Sequence, residues 1–163
     1  MDRGVSMGRK GARAAATRAD LRTRELESLE SISAAIARAG DVESVARVLL
    51  DEIAALIGVE FVGLALVDES MNEAHGLLAR REGMDFDYWS DLRFDLRGEP
   101  SGVASAAFDF APVTVYDTAS SPLIKQPVAE AIGAHSAAFV PLVSGERVIG
   151  VRSEEHTSEL QSQ

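Results

Sequence analysis

Between residues 83 and 136 the chain gathers the aromatic side chains Tyr88, Trp89, Phe94, Phe108, Phe110 and Tyr116. Among them stand polar groups able to orient a ligand: Arg93, Asp117, Thr118, His135 and Ser136. Aromatic faces stack on planar rings such as a purine or a tetrapyrrole, and a few polar groups around such a site fix its orientation. The candidate ligand contacts are therefore Trp89, Arg93, Phe94, Tyr116, Asp117, Thr118, His135 and Ser136. A plainer reading stands beside this one. Aromatics also fill small cores, Asp117 and Thr118 can cap the turn that follows them, and His135 can sit exposed at a strand start.

No residue is assigned to catalysis. The chain has no cysteine, which removes thiolate nucleophiles, thiolate metal sites, disulfides and thioether-linked cofactors. Its three histidines are His75, His135 and His156. First-row metals usually take about three or four ligands, so no metal site is expected. The Gly98-Glu99-Pro100-Ser101-Gly102 turn is too short and irregular for a phosphate loop, and no nucleophile–base arrangement stands out.

At 163 residues, 46% of them hydrophobic, the chain is sized for one domain with a proper core. Residues 1–24 carry seven basic and two acidic side chains, a net of +5; residues 25–151 carry 21 acidic and eight basic ones, a net of −13. An acidic body argues against a nucleic-acid surface. The basic leader, residues 1–20, could touch anionic lipid or nucleic acid, but it is read as a disordered leader or a solvated helix end: Gly4, Gly8 and Gly11 interrupt it, and no aromatics are interleaved. No apolar run approaches the ~18 residues of a membrane span, and no secretory h-region opens the chain. With the want of thiols, this points to a cytoplasmic protein.

The elements that must position these residues follow from periodicity. Leu21, Leu26, Leu29, Ile32, Ile36 and Ala39 recur at helical spacing from about Thr17, up to a stop at Gly40. Leu26, Leu29 and Ile36 make a narrow stripe that either pairs two protomers into a homodimer or packs on the chain's own sheet. Asp41 caps a second helix with a wide apolar face, ended by Gly58. Residues 60–67 read as a strand. Val62, Leu64 and Leu66 face the helices, and the small Gly63 and Ala65 leave room opposite for a ligand or another segment of chain. Residues 74–81 return as its hairpin partner. Residues 93–96 and 113–116 read as short strands, and 103–110 and 123–132 as short helices, the second capped by Ser120 or Ser121. A strand over 135–143 turns at Ser144-Gly145 into a last strand from Val148.

That last strand is expected to break off at Val151. In residues 152–163, RSEEHTSELQSQ, only Leu160 is apolar. The string resembles the translated read-through of a sequencing-library adapter, and it is set aside as a non-native tail. The domain, residues 21–151, is then expected to be incomplete at its C-terminal end.

Four stretches resemble the GAF domain, a sensory module of bacterial signalling proteins and cyclic-nucleotide phosphodiesterases. Residues 29–58 resemble its leading helix pair, residues 59–68 (VEFVGLALVD) its first strand, residues 113–122 (VTVYDTASSP) the approach to its pocket helix, and residues 138–151 (AFVPLVSGERVIGV) its final hairpin. The PAS domain shares the architecture, but the hairpin favours GAF. The resemblance implies an α+β fold: a central antiparallel sheet of about six strands, helices on one face, short helices and loops on the other, and the last strand beside the first. It also implies a further helix leading into an effector such as a histidine kinase, diguanylate cyclase or serine phosphatase. Any ligand would sit between the sheet and the irregular segments. Bilin attachment and methionine-sulfoxide reduction in this fold use cysteines, which this chain lacks, and no NKFDE pattern of cyclic-GMP-binding members is present. Haem held without a covalent link stays open through His75 or His135, so no cofactor is assigned. The resemblance thus implies a non-catalytic sensory input module of a longer bacterial signalling protein, able to bind a small molecule. The alternative is a ligand-free dimerisation or spacer module.

Overall fold

The computed structural model describes the backbone of residues 5–38 and 40–156, and side chains from residue 17 onward. Residues 1–4 of the leader, Ala39 and residues 157–163 of the tail lie outside the described residues, as do the side chains of Arg9, Lys10 and Arg13. Helix α1 (Val5–Arg38) begins well before Thr17 and takes in residues 5–20 of the leader, the helical one of its two readings. The Ala14-Ala15-Ala16 run, with Lys10 and Arg13 before it, outweighs the helix-weakening Gly8 and Gly11. Helix α2 (Val42–Ile57) has the expected ends. The Asp41 carboxylate accepts from the Ser44 N–H at 2.8 Å, and Gly58, at φ 71°, takes the left-handed C-cap.

Seven antiparallel strands follow: β1 (Phe61–Val67), β2 (Glu73–Arg81), β3 (Met84–Asp85), β4 (Arg93–Asp95), β5 (Val113–Val115), β6 (Ser136–Ser144) and β7 (Arg147–His156). Their order is β3-β2-β1-β7-β6-β5, with β4 also on β2. The last strand lies beside the first, as the resemblance implies. The count passes six because β3, too short to show a period, pairs through Arg80 and Arg81 alone. Helices α3 (Gly102–Asp109) and α4 (Gln126–Ile132) and a 3-10 helix (Asp87–Asp91) complete the domain. Helix α4 starts at Gln126, not Leu123, because Pro127 fits only the first turn of a helix. Ser121 Oγ accepts from the Leu123 N–H at 3.3 Å, in the turn ahead of it.

The expectation that β7 ends at Val151 does not hold. The strand continues through His156: Arg152–Glu155 pair with Phe61–Leu64 of β1 on one side, and Arg152–His156 with Ser136–Val140 of β6 on the other. Backbone N–H and C=O groups between two neighbours are satisfied whatever side chains they carry, so pairing extends into a segment that is polar by sequence.

The sheet divides its side chains as alternation requires. On the back, Val62, Leu64 and Leu78 pack with Ala46 and Leu50 of α2. On the front, Phe61, Ala65, Ala137, Phe139 and Val151 join Trp89, Phe94, α3 and α4 in a larger core. An ion-pair network ties β3 to the back helix. Asp85 accepts from Arg47 at 2.8 Å and from Arg80, which also holds Asp51 at 2.7 Å. Hydrogen bonds from Arg47 and Arg80 hold the Asp85 carboxyl at about 2, below its usual range.

Candidate functional site

The room opposite Gly63 and Ala65 is filled by the indole of Trp89, which is 2% exposed. A Cβ placed on Gly63 would stand 2.7 Å from the Trp89 ring, and one on Gly76 would collide with the Trp89 backbone. The indole Nε1–H donates to Leu64 O at 2.9 Å, and the ring meets Phe61 and Phe94 at centroid distances of 5.6 and 5.8 Å. Gly63 on β1, opposite Ala79, and Gly76 on β2, opposite Ala65, were the sequence signal for a buried bulky ring.

Beyond Trp89, a cavity of ≈ 20 Å³ opens beneath α4, room for about one water. Trp89, Phe94, Gly102, Lys125, Phe139 and Glu155 stand around it. The Lys125 ammonium donates to Arg93 O at 2.8 Å and lies 5.1 Å from the centroid of the Phe94 ring. Gly102 is required there because a side chain would enter the Phe139 ring. Glu155 is 5% exposed, and burial alone pushes its carboxyl up to about 7. Gly102, Lys125, Phe139 and Glu155 were absent from the sequence-derived candidates. Glu155 sat in the discounted tail, and Lys125 and Gly102 reach the cavity only through the tertiary fold.

Of the eight candidates, only Trp89 and Phe94 line this cavity. Arg93 is exposed on β4, with its guanidinium 3.8 Å from Glu73. Tyr116, just after β5, is 77% exposed. Asp117 accepts from the Ser120 hydroxyl at 2.6 Å and the Ala119 N–H at 3.1 Å, which lowers its pKa. Thr118 is buried, its hydroxyl donating to Ala134 O at 2.6 Å. His135 is exposed, with its backbone N–H on His156 O, and Ser136 is buried on β6. Asp117 and Thr118 thus tie the turn after β5 to itself and to the segment before β6, while Arg93 stays at β4. Among the described residues, no cluster of three or more His, Asp or Glu side chains could hold a metal ion, and no helix is long and apolar enough to cross a membrane.

A second feature lies on the helices. In α1, Ser28 is buried and Ile32 half-buried, while Leu21, Leu26, Leu29 and Ile36 are all more than half exposed. Leu26, Leu29 and Ile36 fall on the a and d positions of a heptad. Helix α1 packs on α2, yet its 34 residues span about 51 Å, far more than α2 can cover.

A family model described as GAF domain matches residues 39–153. Among solved structures, the chain is similar to the GAF domain of a phosphoenolpyruvate-protein phosphotransferase from Coxiella burnetii, with 15% identity and a TM-score of 0.69 over 84% of this chain and 80% of that one. It is also similar to residues 122 to 287 of a methyl-accepting chemotaxis protein, with 20% identity and a TM-score of 0.64 over 81% and 83% of the two chains. The free methionine-R-sulfoxide reductase of Neisseria meningitidis is similar at 21% identity and a TM-score of 0.60, over 81% and 72%. No protein of curated function matches the chain.

Proposed function

The chain belongs to the GAF domain family, and on that premise we propose that it is a non-catalytic regulatory input module, pairing with a second copy through α1. A change in the packing of those helices would pass to an effector domain in a longer bacterial signalling protein. The observation that carries this reading is the outward row of Leu26, Leu29 and Ile36 on a helix far longer than its own domain covers. An isolated helix with such a stripe is marginal in water, and a copy of itself supplies the missing apolar surface. The likeness to a methionine-sulfoxide reductase brings no activity with it. The family resemblance implies that this reaction in this fold uses cysteines, and the chain has no cysteine.

Sedimentation equilibrium of the full chain tests the pairing. The expected result is a dimer that Leu26→Glu/Leu29→Glu weakens by at least about 100-fold, since each leucine removed from a seam forfeits about 1.5–3 kcal/mol. Both side chains are exposed in the single copy, so the variant keeps its melting temperature under conditions where the parent is monomeric. A parent chain monomeric at high concentration would contradict the reading.

Small-molecule sensing is the second reading, favoured by the cavity between Trp89, Phe94, Phe139, Lys125 and Glu155. At ≈ 20 Å³ it admits a ligand only if α4 moves outward. A thermal-shift screen with purine nucleotides, haem and small aromatics tests it: a ligand of the folded form raises the melting temperature, and no shift with any of them contradicts sensing.

A further inference from the structure

Arg80 and Arg81 are neighbours at the end of β2, so alternation sends their side chains to opposite faces of the sheet. Arg81 lies opposite Phe61, on the front, and Arg80 opposite Val62, on the back. Each holds a helix on its own side. On the back, the Arg80 guanidinium donates to both Asp51 carboxylate oxygens, at 2.7 and 3.0 Å, and its side chain is only 11% exposed. Asp85, opposite Arg80 on β3, accepts from Arg80 and, at 3.2 and 2.8 Å, from two nitrogens of Arg47. Arg47 and Asp51 stand one turn apart on α2. Paired charge-assisted bonds of this kind are the strong ones. On the front, Arg81 Nη1 donates to Ala131 O at 3.2 Å, in the last turn of α4. Carbonyls there lack a partner within the helix, and the helix dipole favours a cation at that end.

The two arginines share a stiff support. Glu82 and Gly83, the turn between β2 and β3, have φ of 50° and 78°, and a two-residue turn of that kind matches the twist of the strands it joins. It sets Arg80 against Asp85 and Arg81 against Met84, and Arg80 also donates to Gly83 O. Helix α4 is the loosest element the hairpin touches. It has seven residues and no side-chain cap at its N-terminus. Its start is tied by Gln126 Nε2, which donates to Thr118 O at 2.8 Å, and by Lys125 on Arg93 O. Arg81 supplies the tie at its end. Helix α3, also on the front, is capped instead by its own Ser101, whose Oγ accepts from the Ala104 N–H at 3.0 Å.

We propose that the β2–β3 hairpin is a clamp linking α4 to α2 around the β3 edge of the sheet. Displacement of α4 pulls, through Arg81, on the grip that Arg80 and Asp85 have on α2, and loosening that grip frees α4. Coupling between two sites is reciprocal, so either helix reports on the other. The link is present in a single copy without a ligand, so it stands apart from pairing through α1. On the sensing reading above, it carries an outward movement of α4 to α2 and to α1 packed on it.

A double-mutant cycle read by residue-resolved amide exchange on the full chain tests the clamp. Asp85→Asn, on the back, is expected to speed exchange of the α4 amides by about 5-fold, the lower end of coupling between distant sites. The Gly133 and Ala134 amides, both on Ala129 O, are the reporters at its end. Arg81→Met keeps the aliphatic stem without the donor and speeds the same amides by about 5-fold, the worth of one hydrogen bond. With Arg81→Met in place, Asp85→Asn adds nothing further at α4, because the connection is already cut. The α3 amides keep their rates throughout, which separates local opening from a loss of global stability. The inference is overturned if Asp85→Asn leaves α4 unchanged, if it acts on α4 equally with and without Arg81, or if α3 and α4 speed up together.

Discussion

Ser153→Ala/Glu155→Val is expected to stabilise the chain by about 3–5 kcal/mol at pH 8 and by only about 1–2 kcal/mol at pH 4. The asymmetry follows from the sign of the linkage. The folded state holds the Glu155 proton up to about 7, against an ordinary value of 4.5. Between those values the folded form binds a proton that the unfolded form has released, so stability is greatest at the acid end and falls as pH rises. Above about 7 the loss is complete, at about 3 kcal/mol. Valine at 155 removes that loss and adds apolar contact with Phe61 and Ala137. Alanine at 153 removes an unsatisfied hydroxyl without adding bulk beside Gly63. Urea melts at the two pH values measure both numbers. A gain independent of pH would mean that Glu155 is not held neutral in the sheet.

Trp89→Ala should cost about 3–5 kcal/mol, close to the whole stability of a domain this size. It empties the space facing Gly63 and Gly76, ends ring contacts with Phe61 and Phe94, and leaves Leu64 O without its indole donor. Trp89→Phe retains most of the volume but not the donor, and should cost about 1–2 kcal/mol. Chemical denaturation followed by far-UV circular dichroism gives both values. If Trp89 served a ligand rather than the core, truncation would leave the midpoint of the unliganded chain unchanged.

What could be read from sequence was what local chemistry dictates. The Asp41 cap and Gly58 stop bound α2 because each satisfies terminal backbone groups through its own neighbours. Val62 and Leu64 against Gly63 and Ala65 foretold the two faces, since alternation is a property of any strand. The order of the four family-like stretches carried the sheet topology. What escaped depends on contacts distant in sequence. Nothing near Trp89 says that it swings under β1 rather than facing a ligand; that follows from Gly63 and Gly76, both glycines on paired strands. The polar candidates were chosen for chemistry, but the turn takes Asp117 for its own backbone, Thr118 goes to Ala134 O sixteen residues on, and Tyr116 is left in solvent. The distal half of β7 looks unlike a strand by composition, and only its position between β1 and β6 draws it into one. The length of α1 was underestimated because glycines were weighted above the alanines between them.

The pairing of two copies through α1 is tested most directly by cross-linking, for which a chain without cysteine is a clean background. Leu26→Cys, Leu29→Cys and Ile36→Cys, each alone, are oxidised at low protein concentration beside Glu30→Cys, an exposed position off the leucine row. The account predicts a covalent dimer from the row positions and little from Glu30→Cys, because a disulfide needs Cα atoms within about 7 Å. Equal cross-linking at all four positions, or none at any, would contradict it.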